Sequence, residues 1–530
     1  MKLPAIRALA PWLTASLTLL CSMQLLADKA PPLAFVSQTI DTGFKLTHPL
    51  ESLNLVGDAN KELLAIGVDD RQTKWLAVYG LDLDSSQYRL LHKMPLPGDL
   101  YRYDVSATPK QDNLQQSSLQ QGNLKQGKPQ LVDSIQSVYF MSRSHLSVLT
   151  VGDQGLALRQ LLDVAPLVVK PRVEFIARGE FVQDLNGDGR DDFIVGQFEQ
   201  TQLFLSQEDG WQTQTLAIQP KVLLYRDGAR YSESKLYFAD MDVDGRDDII
   251  KVGEGELEIY AQHEDGKFEI YPRFQAVSQA ISGLDWWDRR DAYGEALDQS
   301  DLVYRKVEAL QDVDGDDLVD MVVRYTKSSG VLDRVNDYEI YLGIKGEKGV
   351  TFGKQPQSVI RGDGTLTGFE LVDIDLDGRS EVLVSGFDIG LSQIIGALVS
   401  GSIDQDVHLF TMDDKRRFAA RPNMSKSVEL SFSLTSGQSG APVVKLADIN
   451  GDKRQDLLLS DGESELDLFL GNTKGALFAH KESLKLTLPI DGDMLSCEDL
   501  NQDGKADLLI KYGRQDKVEL QSQFLVIMTQ

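Results

Sequence analysis

The sequence is poor in cysteine and in histidine. Among 530 residues there are two cysteines and six histidines. Cys21 lies in an apolar N-terminal segment, so cleavage of that segment would leave Cys497 alone and no intrachain disulfide could form. The histidines are scattered along the chain without metal-ligand or catalytic spacing, which argues against a zinc centre and against histidine-based catalysis.

Positive charge is also scarce. There are 81 acidic and 54 basic residues, which gives a formal net charge of −27. Nucleic acid and anionic membrane surfaces both attract basic faces, so this balance argues against either as a partner. A surplus of carboxylates suits bound divalent cations.

Long apolar runs are absent beyond the N-terminus. Lys2 and Arg7 precede an apolar stretch over residues 8–20, and Ala27 offers a small residue for cleavage, so residues 1–27 are predicted to be a secretory signal peptide. A membrane anchor and a lipoprotein attached at Cys21 are the alternatives. Cleavage would bring the net charge to −29 because the segment carries two basic residues and no acid. The mature chain, 28–530, is then expected to be secreted, periplasmic or at the cell surface, with no membrane span.

One nine-residue pattern recurs six times between residues 184 and 507. We number its positions 1–9 and its copies as loops 1–6, which read DLNGDGRDD (184–192), DMDVDGRDD (240–248), DVDGDDLVD (312–320), DIDLDGRSE (373–381), DINGDKRQD (448–456) and DLNQDGKAD (499–507). An apolar or cysteine residue stands two positions before each copy, and a short run of β-forming residues follows it. Such runs between turns indicate buried strands.

The repeat predicts an all-β fold, a β-propeller. Each unit is expected to contain four short strands with the acidic loop between the first two, as in a propeller blade. Segments 63–79 and 146–158 resemble the unit without its acids, so eight units are counted, and seven or eight four-stranded blades are predicted. The strand near 33–39 is expected to complete the last unit. Residues 106–130, rich in Gln, Ser, Asn and Lys, are predicted to be a mobile insertion loop.

The acids of the repeat have the spacing of a calcium loop. Ca²⁺ takes six to eight oxygen ligands in a flexible shell, and glycine at position 6 permits a tight turn. Side-chain oxygens are predicted to come from positions 1, 3, 5 and 9, and a backbone carbonyl from position 7. Up to six Ca²⁺ sites follow, with these residues: Asp184, Asn186, Asp188, Arg190 and Asp192; Asp240, Asp242, Asp244, Arg246 and Asp248; Asp312, Asp314, Asp316, Leu318 and Asp320; Asp373, Asp375, Asp377, Arg379 and Glu381; Asp448, Asn450, Asp452, Arg454 and Asp456; Asp499, Asn501, Asp503, Lys505 and Asp507.

Two alternatives to calcium remain. The loops could be plain Asp/Asn/Gly turns without metal. Mg²⁺ is less suitable because it prefers few protein ligands and several waters. Lys453 occupies position 6 of loop 5, where it is expected to add about 1 kcal/mol of backbone strain, so that site is predicted to be the weakest.

The phrase DLNGDGRDDFIVG (184–196) resembles the FG-GAP/VCBS repeat family. The resemblance is good over about 180–515 and weak over about 50–160. It implies a β-propeller similar to that of the integrin α-subunit, with calcium held by Asp184, Asn186, Asp188 and Asp192 and by their counterparts in the other loops. The Phe-Gly and Gly-Ala-Pro elements that name the family do not recur with the loops, since each occurs once, at 352–353 and 440–442, which favours a bacterial-type variant.

A cluster outside the repeat is a candidate partner-binding surface: Trp286, Trp287, Arg289, Arg290 and Tyr293. Aromatic residues and arginine are common in binding hot spots. The first functional hypothesis is therefore an exported calcium-binding scaffold that binds a protein or a glycan, as in adhesion. The alternative is a polysaccharide lyase or hydrolase on the same scaffold, and a purely structural role is a third. No arrangement of catalytic residues stands out.

Overall fold

The structure is a computed structural model. It describes residues 33–530 apart from 58–59, 83–84, 107–134, 153, 168–174, 331–332, 363–364, 375, 388–401, 434–437 and 473–475. The predicted signal peptide (1–27), all of the predicted insertion loop except Ser106, and the predicted ligand Asp375 lie outside the described residues.

The described part of the chain is almost entirely β-structure. It contains forty strands and two short 3-10 helices, which confirms the all-β prediction. None of its helices has the length and apolar character needed to cross a lipid bilayer.

The strands form successive units whose neighbouring strands are mostly antiparallel. Unit 1 follows the opening strand β1 (Phe35–Asp41) and contains β2 (Lys45–Leu46), β3 (Glu51–Leu53), β4 (Glu62–Val68), β5 (Lys74–Asp82) and β6 (Gln87–Pro95). Unit 2 contains β7 (Arg102–Val105), β8 (Val138–Met141), β9 (His145–Gly152) and β10 (Gly155–Asp163), with β11 (Ala177–Arg178) parallel to β7. Unit 3 contains β12 (Val182–Gln183), β13 (Asp192–Gly196), β14 (Thr201–Gln207) and β15 (Gly210–Leu216), followed by the hairpin β16 (Lys221–Tyr225) and β17 (Gly228–Ser232).

The middle units repeat this order. Unit 4 contains β18 (Leu236–Ala239), β19 (Asp248–Val252), β20 (Glu256–Tyr260) and β21 (Arg273–Ala276). Unit 5 contains β22 (Ile281–Ser282), β23 (Leu302–Gln311), β24 (Asp320–Gly330), β25 (Asp333–Tyr341), the hairpin β26 (Gly343–Gly346) and β27 (Gly349–Phe352), and β28 (Ser358–Ile360). Unit 6 contains β29 (Thr365–Val372), β30 (Glu381–Phe387), β31 (Ser402–Phe410), β32 (Met424–Ser433) and β33 (Gln438–Ser439). The parallel pair Asn336↔Thr365 joins β25 to β29, so the strands of units 5 and 6 belong to one sheet.

The last two units complete the chain. Unit 7 contains β34 (Val444–Ala447), β35 (Asp456–Asp461), β36 (Glu465–Gly471) and β37 (Phe478–Lys485). Unit 8 contains the 3-10 helix Gly492–Met494, β38 (Leu495–Glu498), β39 (Asp507–Lys511), the 3-10 helix Val518–Leu520 and β40 (Gln523–Thr529). Its fourth strand is β1, which pairs with β40 from Phe35↔Thr529 to Asp41↔Gln523. The prediction that an N-terminal strand completes the last unit is confirmed.

In each acidic unit, the strand after the loop is the apolar run that follows the loop in the sequence. Ile249 and Ile250 of β19, and Leu508 and Ile510 of β39, have no exposed surface. Burying a side chain of this size contributes about 1.5–3 kcal/mol. These strands therefore fix the base of each loop in the core.

Hydrophobic clusters lie between units. Each unit shares a buried cluster with the next one along the described chain. A further cluster joins unit 8 to unit 1, with Leu509 and Phe524 packed in the same group as Phe44 and Tyr79.

Candidate metal-binding loops

All six acidic loops occupy the same place in their units. Each loop joins two consecutive antiparallel strands of its unit, so that position 9 pairs with the last residue of the strand before the loop, as in Gln183↔Asp192 and Glu498↔Asp507. The predicted placement between the first two strands is therefore confirmed in five units, whereas in unit 5 the short parallel strand β22 precedes the two strands that loop 3 joins.

The side chain of the position-1 aspartate accepts two backbone hydrogen bonds from its own loop. In loop 1, Asp184 Oδ1 accepts the Asp188 N–H at 3.1 Å and Oδ2 accepts the Gly189 N–H at 3.0 Å. All six loops share this pair of bonds, with N···O distances of 3.1–3.3 Å to position 5 and 2.6–3.0 Å to position 6. The position-5 aspartate in turn accepts the N–H of position 7 at 2.9–3.0 Å. A turn that satisfies its own amides in this way needs no ion to form.

The position-9 acid lies at the base of the loop and is buried in all six copies. One of its oxygens accepts the N–H of position 2 at 2.9–3.2 Å in every loop. In five loops the other oxygen accepts an N–H from the unit's next strand or its edge at 2.6–2.9 Å, as Ser206 donates to Asp192. Position 9 therefore ties the loop to its sheet.

Burial has an electrostatic consequence at position 9. Loss of hydration raises the pKa of Asp192, Asp248 and Asp320 to about 7, although their backbone hydrogen bonds oppose the shift. The same cause raises the pKa of Asp456 and Asp507 to about 6. A nearby cation would favour the charged form of these carboxylates.

Positions 4 and 6 both have positive φ in all six loops. The values at position 6 include 80° at Gly189 and 71° at Lys453, as the sequence predicts. Positive φ at position 4 was not foreseen, and it places the β-branched Val243 at 62°, a strained conformation. Each loop has glycine at one or both positions, so the recurring glycines of the sequence indicate that both positions have positive φ.

Two loops bring three carboxylates together among the described residues. Asp240, Asp242 and Asp244 of loop 2 each place an oxygen within 4.8 Å of the other two. Asp312, Asp314 and Asp320 of loop 3 do the same. Loops 1, 5 and 6 have asparagine at position 3, which offers a neutral amide oxygen instead.

Loop 3 gives a direct test of whether a cation fits. Asp314 Oδ1 is buried and has no hydrogen-bond partner, and the residue is 3% exposed. A buried carboxylate oxygen without a partner is costly. Burial first, and then the charge of Asp316, raise the pKa of Asp314. Hard oxygen ligands at this spacing fit Ca²⁺, which would complete the coordination of that oxygen.

The loops also contact the following unit. The position-2 carbonyl of loop 2, on Met241, accepts the Val350 N–H of unit 5 at 2.8 Å. That of loop 3, on Val313, accepts the Ser380 N–H of unit 6 at 3.1 Å, and that of loop 6, on Leu500, accepts the Lys61 N–H of unit 1 at 3.0 Å. A ligand that orders a loop would therefore also order a contact between units.

A seventh loop of the same frame was missed by sequence reasoning. Residues 54–62 (NLVGDANKE) join β3 to β4, and the buried Glu62 at position 9 accepts the position-2 N–H of Leu55 at 2.8 Å. Gly57 at position 4 has φ 84° and donates to Asn54 Oδ1 at 2.7 Å. Position 1 is Asn54 and position 3 is Val56, so the acids of these two positions are missing. Leu55, Gly57 and Glu62 nevertheless keep the backbone hydrogen bonds and the positive φ of the acidic loops.

The predicted partner cluster lies between β22 and β23. Its two tryptophans contact each other edge to face, with ring centroids 5.4 Å apart. Its cation–π contacts are Arg289 over Tyr304 (5.7 Å), Arg290 over Tyr225 (4.7 Å), Arg334 over Trp286 (5.3 Å) and Arg324 over Trp287 (5.6 Å). Trp287 is 48% and Tyr293 is 82% exposed, so these two rings are available to a partner.

Comparison with known proteins identifies the repeat. The model of the FG-GAP-like repeat matches residues 184–250 and 448–510. No curated protein matches the sequence significantly.

Several solved structures are similar in fold at low identity. A lectin of Agrocybe aegerita that recognises non-reducing terminal N-acetylglucosamine is 13% identical, with a TM-score of 0.39 over 82% of this chain and 94% of the lectin. The β-propeller domain of Nup133 from Vanderwaltozyma polyspora is 10% identical, with a TM-score of 0.34 over 74% of this chain and 91% of that domain. The WD40 domain of fission yeast SCAP is 8% identical, with a TM-score of 0.30 over 85% and 98%. Likeness at this level assigns no activity to this chain.

Proposed function

The chain carries FG-GAP-like repeats, and from this premise we propose that it is an exported calcium-binding β-propeller that acts as a non-catalytic scaffold for a protein or glycan partner. Up to six Ca²⁺ ions would be held by loops 1–6. The export part of the proposal rests on the N-terminal sequence, and the others rest on the geometry of the units and loops.

Closure of the units into an eight-bladed ring is supported by the contacts between unit 8 and unit 1. They share a hydrophobic cluster, as all consecutive units do. The Leu500–Lys61 hydrogen bond repeats the Val313–Ser380 bond between units 5 and 6. Because β1 supplies the fourth strand of unit 8, the two ends of the propeller would be fastened by main-chain hydrogen bonds.

The calcium proposal rests mainly on the geometry of loop 3. Asp314 Oδ1 is buried without a partner, and Asp312 and Asp320 lie within 4.8 Å of it or of its sister oxygen. A calcium ion supplies two positive charges to these carboxylates. The chain's part is to hold them in place through the position-1 and position-9 hydrogen bonds.

The experiment is thermal unfolding of the purified protein in millimolar Ca²⁺ and in excess chelator, together with a count of bound metal. Ligands that bind only the folded state raise its stability, by about 2.7 kcal/mol per site at 100 times Kd. We expect several calcium ions per chain and a Tm that falls when they are removed. An unchanged Tm with no bound calcium would mean that the loops are metal-free turns.

The scaffold part needs a binding test. We expect a glycan or protein identified by array screening to lose affinity when Trp287→Ala or Tyr293→Ala removes an exposed ring. Tyr271→Ala is the matched control, because Tyr271 is 74% exposed and lies outside the cluster. Turnover of a polysaccharide by the protein would instead favour the enzyme alternative.

A further inference from the structure

Loop 3 differs from most other loops in its charge. Position 7 is arginine in loops 1, 2, 4 and 5, and in each of them this arginine forms an ion pair with the position-5 aspartate of its own loop. In loop 4, for example, Arg379 Nε lies 2.9 Å from Asp377 Oδ2. Position 7 of loop 3 is Leu318, which cannot pair with Asp316.

The missing cation comes from the next unit. Arg416 belongs to the turn 413–417 between β31 and β32 of unit 6, and it reaches back into loop 3 of unit 5. Its Nη1 lies 2.6 Å from Asp316 Oδ2 and 3.2 Å from Asp314 Oδ2. One guanidinium therefore contacts the acids at positions 3 and 5, while Asp314 Oδ1 stays without a partner.

Unit 4 offers a matched comparison. Its turn 263–267 has the same backbone hydrogen bonds as the turn 413–417, and Gly266 stands where Arg416 does. A Cβ on Gly266 would lie 3.2 Å from Asn186 Cβ, so this turn also meets position 3 of the preceding loop. The neutral Asn186 therefore faces glycine, and the charged Asp314 faces arginine.

The backbone at Arg416 also indicates that its side chain is needed there. Arg416 has φ 59° and Gly266 has φ 76°. Glycine adopts this region without strain, whereas a residue with a side chain is disfavoured. An arginine at this position must offset that strain through its contacts with loop 3.

We propose that Arg416 is a tethered cation that partly offsets the charge of Asp314 and Asp316 when no metal is bound, and so adds an ion-pair link between units 5 and 6 in the metal-free protein. The inference rests on the proposed calcium function of the loop. Arg416 and Ca²⁺ would then compete electrostatically for the same acids, since each lowers the gain from the other. By reciprocity, removing the arginine weakens the metal-free state and tightens calcium binding at loop 3.

The test compares Arg416→Gln with the wild-type protein by thermal unfolding in chelator and in millimolar Ca²⁺. We expect the variant to lose about 2 °C of Tm in chelator and little in calcium, given the usual dependence of Tm on stability in large domains. The calcium concentration that half-restores its Tm should fall about tenfold, the size of a typical coupling between two bound groups. Arg416→Gly also relieves the backbone strain. The difference between its Tm in calcium and its Tm in chelator should exceed that of the wild type, as for Arg416→Gln.

The matched control is Arg417→Gln. Arg417 stands in the same turn and pairs with Asp413, with Nη2 3.0 Å from Oδ2. Its removal should change Tm equally in chelator and in calcium. In an Asp312→Asn background, which disables loop 3, Arg416→Gln should lose its calcium-dependent effect.

Two outcomes would overturn the inference. If the wild-type protein responds to calcium but Arg416→Gln shifts Tm equally in both conditions, Arg416 is an ordinary ion pair and the calcium function stands. If the wild-type Tm is the same in chelator and in calcium, the proposed calcium function is wrong, and so is the proposed competition at loop 3.

Discussion

The loop of unit 1 and loop 2 of unit 4 have the same length and the same frame but different side-chain chemistry. In both, a buried acid at position 9 accepts the N–H of position 2, at 2.8 Å in Glu62–Leu55 and 3.2 Å in Asp248–Met241. In both, position 4 has positive φ. Position 3, however, is Val56 in unit 1 and Asp242 in unit 4.

This difference distinguishes two roles of the acids, which are to accept backbone hydrogen bonds and to supply ligands to a cation. The position-9 acid satisfies backbone donors, so it is required whether or not the loop binds a metal. The acids at positions 1, 3 and 5 crowd one another, and burial together with Asp244 and Asp240 raises the pKa of Asp242. A bound cation would relieve this repulsion, whereas the backbone hydrogen bonds that positions 1 and 5 accept form without one.

The largest effect is expected at position 9. Asp456→Ala and Glu62→Ala each remove a buried carboxylate and leave buried N–H donors unsatisfied, which should lower the free energy of unfolding by about 3–5 kcal/mol. Urea unfolding in chelator and in calcium measures this loss of free energy for each variant. The loss should be the same in both conditions for Glu62→Ala and larger in calcium for Asp456→Ala. A calcium-dependent loss for Glu62→Ala would contradict the division of roles.

Position 3 should give a smaller effect that depends on metal. Asp242→Ala is expected to remove one bound calcium and about 2–3 kcal/mol of stability in calcium, the contribution of one well-saturated site. In chelator its stability should be unchanged or slightly higher, because Asp240 and Asp244 lose a repulsive neighbour. Val56→Ala is the control in unit 1 and should leave the metal count unchanged. Equal counts for Asp242→Ala and wild type would exclude loop 2 as a site.

The unit 1 loop can also be converted. The double substitution Asn54→Asp and Val56→Asp restores acids at positions 1 and 3, while Asp58 and Glu62 already stand at positions 5 and 9. We expect one additional calcium per chain and a gain of about 1–3 kcal/mol in calcium only. Metal analysis of the purified variant measures the count, and Asn54→Ala with Val56→Ala is the control. A variant with no extra ion would mean that the acids alone do not make a site on this frame.

The sequence predicted the parts of the fold that depend on local pattern. The six loops and the buried strands after them follow from spacing and apolar runs, and the pairing of the N-terminal strand with the last unit follows from a missing fourth strand. The loop of unit 1 was missed because Asn54 and Val56 break the acid pattern, although Glu62 was visible. Arg416 could not have been found, since its partners Asp314 and Asp316 are about 100 residues away and only the packing of units 5 and 6 joins them.

Glycine exchange at position 4 should have the smallest effect. Val243 has φ 62° in loop 2 and Gly57 has φ 84° in unit 1. Val243→Gly relieves strain of about 1–3 kcal/mol but increases the entropy of the unfolded chain by about 0.5–1 kcal/mol, so a net gain of about 1 kcal/mol is expected. Gly57→Val should lose at least as much, because its side chain would also approach Ile135, which lies 3.1 Å from an ideal Cβ at this position. Urea unfolding in chelator isolates the backbone term from metal binding. A destabilised Val243→Gly would mean that the packing of the Val243 side chain against the core of units 4 and 5 outweighs its backbone strain.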